Sequence, residues 1–286
     1  MTPIIEARGL SKRYRGGKQA VAGVDFTVGP GRIVGLIGRN GAGKTSVIKS
    51  LLGLTPFQGD LKVLGRNPAT ERDLLMREVS FIADVAVLPK WLNVRNALDY
   101  VEGVHPAFNR ERAEQFLSST DVKMTHKVRQ LSKGMVTQLH LALVLAIRAR
   151  LLVLDEPTLG LDLLVRRRFY DTLLNDYMDE ERTILVTTHQ VEEIEYLLTD
   201  VLFIEQGRIV LDTPTDQIGE RYAQLIVKPD QLAAGRALGP FNERAVLGRT
   251  VLFYENARHE QLESLGEVGI PTIADLFVAR MQKEAA

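Results

Sequence analysis

Along the first forty residues, apolar and polar positions alternate in short stretches, over residues 3–10 and again over 20–37. Ile4, Val21, Val24, Phe26 and Val28 suit one face of a small β-rich layer. Residues 32–37 (Arg-Ile-Val-Gly-Leu-Ile) then form an apolar, partly β-branched run that reads as a buried strand. Val47, Ile48, Leu51 and Leu52 follow at helical spacing, and Gly53 closes that pattern, which predicts a short helix with a glycine stop. A turn over 55–60 leads to a strand over 61–64, and residues 79–83 give another.

From about 90 to 150 the period becomes helical, through Val94, Ala97, Leu98, Val101, Phe116 and Leu117. Residues 105–109 interrupt it, and residues 136–147, apolar nearly all round, predict a buried helix. Parallel-sheet texture returns at 151–154 and 183–187, two apolar runs separated by a charged helix over 163–180. Apolar strands alternating with helices imply an α/β parallel core. Past Pro214 the pattern changes again. Strands over 224–227 and 250–254 and helices over 259–267 and 273–281 predict a small appended α+β unit.

Between the strand at 32–37 and its helix stands Gly38-Arg39-Asn40-Gly41-Ala42-Gly43-Lys44-Thr45, a complete G-x-x-x-x-G-K-[ST] loop. At average residue usage a chance match in a chain of this length is about a one-in-a-hundred event, and the strand–loop–helix context strengthens it. Glycines let the backbone approach a ligand closely. Successive N–H groups form an anion cradle, and the helix N-terminus adds donors and a positive dipole end. Lys44 would reach the β- and γ-phosphates of a nucleotide, and the Thr45 hydroxyl would bind Mg²⁺.

Asp155 and Glu156 end the apolar run 151–154, at the strand edge where parallel sheets place ligands. Asp155 would hold Mg²⁺ through water, and Glu156 would orient and deprotonate an attacking water. Residues 131–135 (Leu-Ser-Lys-Gly-Met) precede the buried helix. Ser132 suits an N-cap, and a serine and glycine at a helix start make either a simple cap or a second phosphate site.

In this order, with Thr187-Thr188-His189 after a strand, these motifs resemble an ABC-family ATPase, the nucleotide-binding subunit of ATP-binding cassette transporters. The resemblance covers residues 3–215. It implies a P-loop NTPase (RecA-like) α/β core with an N-terminal antiparallel β layer and a helical insertion at about 85–150. An ATP-binding domain would span 1–215 and a C-terminal accessory domain 216–286. Residues 131–135 resemble the family's LSGGQ signature, and 159–162 (Leu-Gly-Leu-Asp) its D-loop. By that match His189 contacts the γ-phosphate, and Tyr14 stacks on adenine. Gly38 to Ser46 cradle the phosphates. Ser132, Lys133 and Gly134 bind the γ-phosphate held by a second subunit, and Asp162 crosses the same interface. Two simpler readings stay open: Asp162 as an N-cap and Tyr14 as an ordinary tyrosine.

Two positions depart from the pattern. Asp84 stands where the family has a hinge glutamine, and would still sense the metal through water. Lys133 replaces a signature glycine, either adding a cation beside the shared phosphate or facing solvent. The segment ending in Pro271-Thr272-Ile273-Ala274-Asp275-Leu276-Phe277 resembles the tails of bacterial ABC-2-type exporter ATPases. The resemblance implies ATP and Mg²⁺ as cofactors, a homodimer or a pairing with a second ATP-binding subunit, and separate transmembrane permease subunits. Trp91 and Leu92 are candidates for docking those subunits or for core packing.

Composition narrows the alternatives. Lys+Arg and Asp+Glu both number 36, which opposes charge-driven nucleic-acid or membrane binding. The chain has no cysteine, as a reducing compartment allows. It shows no signal-peptide pattern, and its longest apolar run, 141–147, is far too short to span a bilayer. The expectation is a cytoplasmic protein held at the inner membrane by transmembrane partners, without nucleic acid. Two rival readings are a soluble ABC-type ATPase acting on ribosomes or DNA and a subunit that binds nucleotide without hydrolysing it. Balanced charge and a single cassette oppose the first; Glu156 and His189 oppose the second.

Overall fold

The computed structural model describes residues 2–82, 88–159, 161 and 163–282. Strands β1 (Ile5–Arg13) and β2 (Gln19–Val28) pair antiparallel, and β3 (Ile33–Ile37), buried at every position, leads into helix α1 (Lys44–Leu51). Strand β4 (Gln58–Val63) completes a three-stranded antiparallel layer in the order β2-β1-β4. A short helix α2 (Arg72–Leu75) precedes β5 (Val79–Ile82). Three helices follow: α3 (Val94–Val104), α4 (Arg110–Ser118) and α5 (Lys133–Leu145). Asn93 and Asn109 cap the first two, accepting from the N–H groups of Asn96 and Arg112.

The chain then builds β6 (Leu151–Asp155), α6 (Leu163–Thr172), β7 (Thr183–Thr188), β8 (Asp200–Glu205) and β9 (Arg208–Pro214). These strands join β3 and β5 in a six-stranded sheet of order β5-β6-β7-β3-β8-β9. All its pairs are parallel except β8–β9. Strands buried on both faces need continuous apolar runs, which is why 33–37 and 151–154 carry no alternation. On one face, α1 packs Val47, Ile48 and Leu51 between the sheet and the antiparallel layer. Each such side chain contributes about 1.5–3 kcal/mol on burial. On the other face lie α5 and α6, through Leu141, Leu145, Phe169 and Tyr170. Helices α3 to α5 share a separate apolar cluster around Leu98, Leu117 and Leu139.

After a single turn α7 (Ile218–Arg221), the remaining chain forms β10 (Tyr222–Val227), α8 (Leu232–Ala237), β11 (Asn242–Val246), β12 (Arg249–Glu255), α9 (His259–Glu263), β13 (Gly266–Gly269) and α10 (Ile273–Gln282). The four strands make an antiparallel sheet, β11-β12-β10-β13. Helix α10 reaches back to the central core through Leu276 and Phe277, the latter edge-on to Phe203 at 5.4 Å.

Three expectations shift. The helix expected over 259–267 stops at Glu263, and residues 266–269 pair with β10 instead. Gly266 lies so close to the Ile226 carbonyl that no Cβ fits, so this glycine belongs to a strand edge. The helix expected over 163–180 is α-helical only to Thr172 and ends in one π turn at Leu173–Tyr177. There Asp179 takes the N–H groups of Glu181 and Arg182 and redirects the chain into β7. The helix expected from 136 starts at Lys133, with Ser132 as its cap. Among the described residues no helix is long and apolar enough to cross a membrane.

Candidate functional site

Strands β3, β7 and β6 are neighbours, and their carboxyl ends are level: Ile37 pairs with Thr188, and Asp155 with Thr187. Three loops therefore meet at one edge of the sheet. They carry Gly38 to Thr45, Asp155-Glu156 and His189.

In the first loop, Gly43 has φ of 120°, and a Cβ there would sit 2.5 Å from the Ala20 carbonyl oxygen. Gly38 has an equally close approach, 2.5 Å from the Ile204 carbonyl oxygen. Gly38 is required by space alone, and Gly43 by space as well as conformation. Helix α1 begins at Lys44 with no side-chain cap, so its first N–H groups face the loop's interior without intrahelical partners. This is the cradle an anion needs, and it fits a polyphosphate. Ala42 is buried behind it, with its carbonyl accepting from Gly207 N–H at 2.8 Å.

Lys44 is only 6% exposed. Its Nζ donates to the Gly38 carbonyl at 2.6 Å and lies 3.3 Å from Glu156 Oε1. The other Glu156 oxygen lies 2.9 Å from His189 Nδ1. Beside a carboxylate, Nδ1 carries the ring proton, which leaves Nε2 as an acceptor when the ring is neutral. Glu156 has φ of 50°, left-handed for a residue with a Cβ. Such a conformation costs about 1–3 kcal/mol and collects at functional sites. Here two contacts hold it: the Glu156 N–H donates to Thr187 Oγ1 at 3.1 Å and to the Thr187 carbonyl at 3.2 Å. The Thr187 hydroxyl in turn donates to Asp155 Oδ1 at 2.6 Å, and Asp155 is buried.

A cavity of about 250 Å³ opens over these groups, lined among others by Tyr14, Lys18, Asn40, Lys44, Thr45 and Glu156. Arg39, Gly41 and Ser46 also border it. The Tyr14 hydroxyl is 3.2 Å from Ser46 Oγ. Among the described residues no group of three or more His, Cys, Asp or Glu side chains could hold a metal on its own. The donor set fits Mg²⁺ in the way that ion is usually held, by one or two protein oxygens plus phosphate oxygens and water. Thr45, which borders the cavity, and Asp155, at the strand end, are the residues that would supply those oxygens.

Ser132, Lys133 and Gly134 do not line this cavity. They stand at the start of α5, where Ser132 accepts from the Met135 N–H at 3.2 Å. Asp84 and Asp162 lie outside the described residues. Sequence reasoning missed Thr187, which joins both carboxylates, and Lys18, which borders the cavity. The polar end of the 183–187 run was the available signal for the first. A roomier cleft of about 810 Å³ lies between α4, α5 and the end of α6 and holds none of these groups.

Known proteins resemble the chain over most of its length. The ABC transporter family profile matches residues 21–159. The chain is 30% identical to daunorubicin resistance ATP-binding protein DrrA3 of Streptomyces coeruleorubidus, over 99% of this chain and 98% of that protein. It is 32% identical to Nod factor export ATP-binding protein I of Sinorhizobium fredii, over 98% of this chain and 86% of that protein. A solved structure described as the ATP binding subunit of an ABC transporter superposes with a TM-score of 0.69 at 26% identity, covering 76% of this chain and 92% of its own.

Proposed function

The chain belongs to the ABC transporter family as an ATP-binding subunit of the exporter type, and from that premise we propose that it hydrolyses ATP to drive separate transmembrane permease subunits. One observation carries the reading: Lys44, Glu156, His189, Thr187 and Asp155 converge from three loops on the cradle at the start of α1. Lys44 neutralises the terminal phosphates. The Glu156 carboxylate takes a proton from the attacking water as its oxygen bonds to the γ-phosphorus and the bond to the bridging oxygen breaks. His189, held by Glu156, steadies the γ-phosphate and the water. Mg²⁺ held at Thr45 and Asp155 would supply charge neutralisation across the phosphates. Tyr14 borders the space left for the base.

Residues 1–215 act as the ATP-binding unit and 216–286 as an accessory unit. Ser132, Lys133 and Gly134 stand on the signature helix, away from the cradle, so they serve a second subunit's nucleotide. Two copies, or one copy and a second ATP-binding subunit, pair head to tail across Asp162. Asp84 senses the metal through water. The assembly works at the cytoplasmic face of the inner membrane without nucleic acid, and its exporter-type relatives support outward transport.

The test is Mg²⁺-dependent ATP turnover by the purified chain, alongside Glu156→Gln. The wild type should hydrolyse ATP, and the variant should accumulate as an ATP-bound dimer. A Glu156→Gln protein that stays monomeric with normal turnover would overturn the assignment.

A further inference from the structure

Lys12 occupies an inward position of β1, in register with Leu10, where alternation calls for an apolar residue. It is 6% exposed. Burying an ammonium is costly unless it is paired and hydrogen-bonded. Among the described residues its partners are one carbonyl and one ring. Nζ donates to the Pro56 carbonyl at 2.7 Å and lies 4.8 Å from the centroid of the Tyr14 ring. A leucine or methionine would fill the same place without a buried charge. The placement thus needs a reason other than packing.

Tyr14 is held at two points. The ammonium sits over one face of its ring, and its hydroxyl meets Ser46 Oγ, on the first turn of α1. Tyr14 as a residue is 38% exposed and borders the cavity above the phosphate cradle. With Lys12 on one face, the other is the one available to a flat ligand. A cation on one face of an aromatic ring draws its π-electrons toward itself. The opposite face becomes a better partner for an electron-rich, polarisable base, which among nucleobases means a purine.

We infer that Lys12 is a positioning and specificity residue for nucleobase binding: it fixes the Tyr14 ring and polarises it toward purines. The inference rests on the nucleotide-binding reading above and adds to it a residue that never touches the nucleotide. It follows that Lys12 acts on the base and leaves the phosphate cradle alone.

The experiment compares Lys12→Met, Tyr14→Leu and the double variant in the full chain, by equilibrium binding of ATP, CTP and inorganic tripolyphosphate. Lys12→Met should weaken ATP binding about tenfold, the scale of one desolvated cation–π contact. It should reduce the preference for ATP over CTP and leave tripolyphosphate binding unchanged, with an unchanged or higher melting temperature. In the Tyr14→Leu background, Lys12→Met should cost nothing further. Equal losses for ATP and tripolyphosphate would overturn the inference, because Lys12 would then only brace the loop at Pro56. Additive losses in the double variant, or no loss in Lys12→Met, would overturn it as well. A wild-type chain that binds neither ATP nor tripolyphosphate would instead refute the nucleotide-binding reading.

Discussion

Nζ of Lys44 lies 3.3 Å from Oε1 of Glu156, with both side chains largely shielded from water. The cation of the phosphate loop and the acid of the strand end are thus paired with each other. Phosphate entering the cradle has to replace the carboxylate as the partner of Lys44. Glu156→Gln removes that competition along with the base. Turnover should fall by about 10²–10⁴-fold, the range for a lost general base, while ATP binds more tightly. Steady-state turnover and equilibrium ATP binding check both halves. A variant with weaker ATP affinity would contradict the competition.

Thr187 is the hub beneath the two carboxylates. Thr187→Val keeps the shape and the strand preference of β7 but removes the donor to Asp155 Oδ1 and one of the two acceptors of the Glu156 N–H, leaving the Thr187 carbonyl. Weakening support for a buried carboxylate costs about 1–3 kcal/mol. The Mg²⁺ concentration for half-maximal turnover should rise several-fold, and maximal turnover should fall. A Mg²⁺ titration separates this from a purely structural loss, which would lower the melting temperature without moving the Mg²⁺ midpoint.

Gly43 and Gly41 both have positive φ, but only Gly43 also lacks room. At Gly41 a Cβ meets nothing within 4 Å. Gly41→Ala should cost only the conformational strain, about 1 kcal/mol. Gly43→Ala adds a clash with the Ala20 carbonyl and should cost several times as much while abolishing ATP binding. Denaturant melts and nucleotide binding of the two variants make the comparison. Similar losses at both positions would mean that conformation alone sets the requirement.

Much of this site was legible because its chemistry is written in contiguous residues. Gly38 to Thr45 specify strand, loop and helix together, and Asp155-Glu156 mark a strand end by the abrupt change from apolar to acidic. What escaped depends on register. Thr187 matters because β6 and β7 align it with Asp155, and no local pattern states that alignment. The burial of Lys12 comes from the loop at Pro56, far along the chain, so no local pattern around β1 states it. The helix expected over 259–267 overruns into residues 266 and 267 because a four-residue strand with two glycines gives no periodicity of its own, and only pairing with β10 defines it.

Glu255 binds the C-terminal sheet to the last helix. It accepts from Arg221 at 3.0 and 2.7 Å, from the Tyr222 hydroxyl at 3.1 Å, and from Arg280. Burial alone would raise its pKa, but the hydrogen bonds from Arg280 and Arg221 outweigh that and hold it below its ordinary value. A carboxyl depressed in the folded state stabilises above its unfolded pKa, and that contribution is lost as pH falls through the folded value. Glu255→Gln should therefore melt below the wild type at neutral pH, and the gap should close on acidification below about pH 4.5. His105 and His140, both lowered by burial, titrate in both proteins and cancel in the difference. A gap independent of pH down to acid would show that Glu255 contributes packing and no charge.

Arg166 on α6 ion-pairs with Glu193 in the turn that follows His189, and its other nitrogen donates to the Leu161 carbonyl at 3.2 Å. The pair joins the loop after Glu156 to the loop after His189. Both side chains are largely buried, 14% and 20% exposed. Removing one member leaves the other charge in a poorly solvated place, whereas removing both does not. Arg166→Met alone should cost about 2–3 kcal/mol, discounted from the fully buried range for residual solvent access. Arg166→Met with Glu193→Met should cost less than either single change, as measured by denaturant melts. Turnover should behave differently. The two loops lose their tie in all three variants, so turnover should fall in each and should not recover with stability in the double. A double variant as unstable as the sum of the singles would show that the two side chains act independently. One with restored turnover would show that the pair holds the fold without positioning His189.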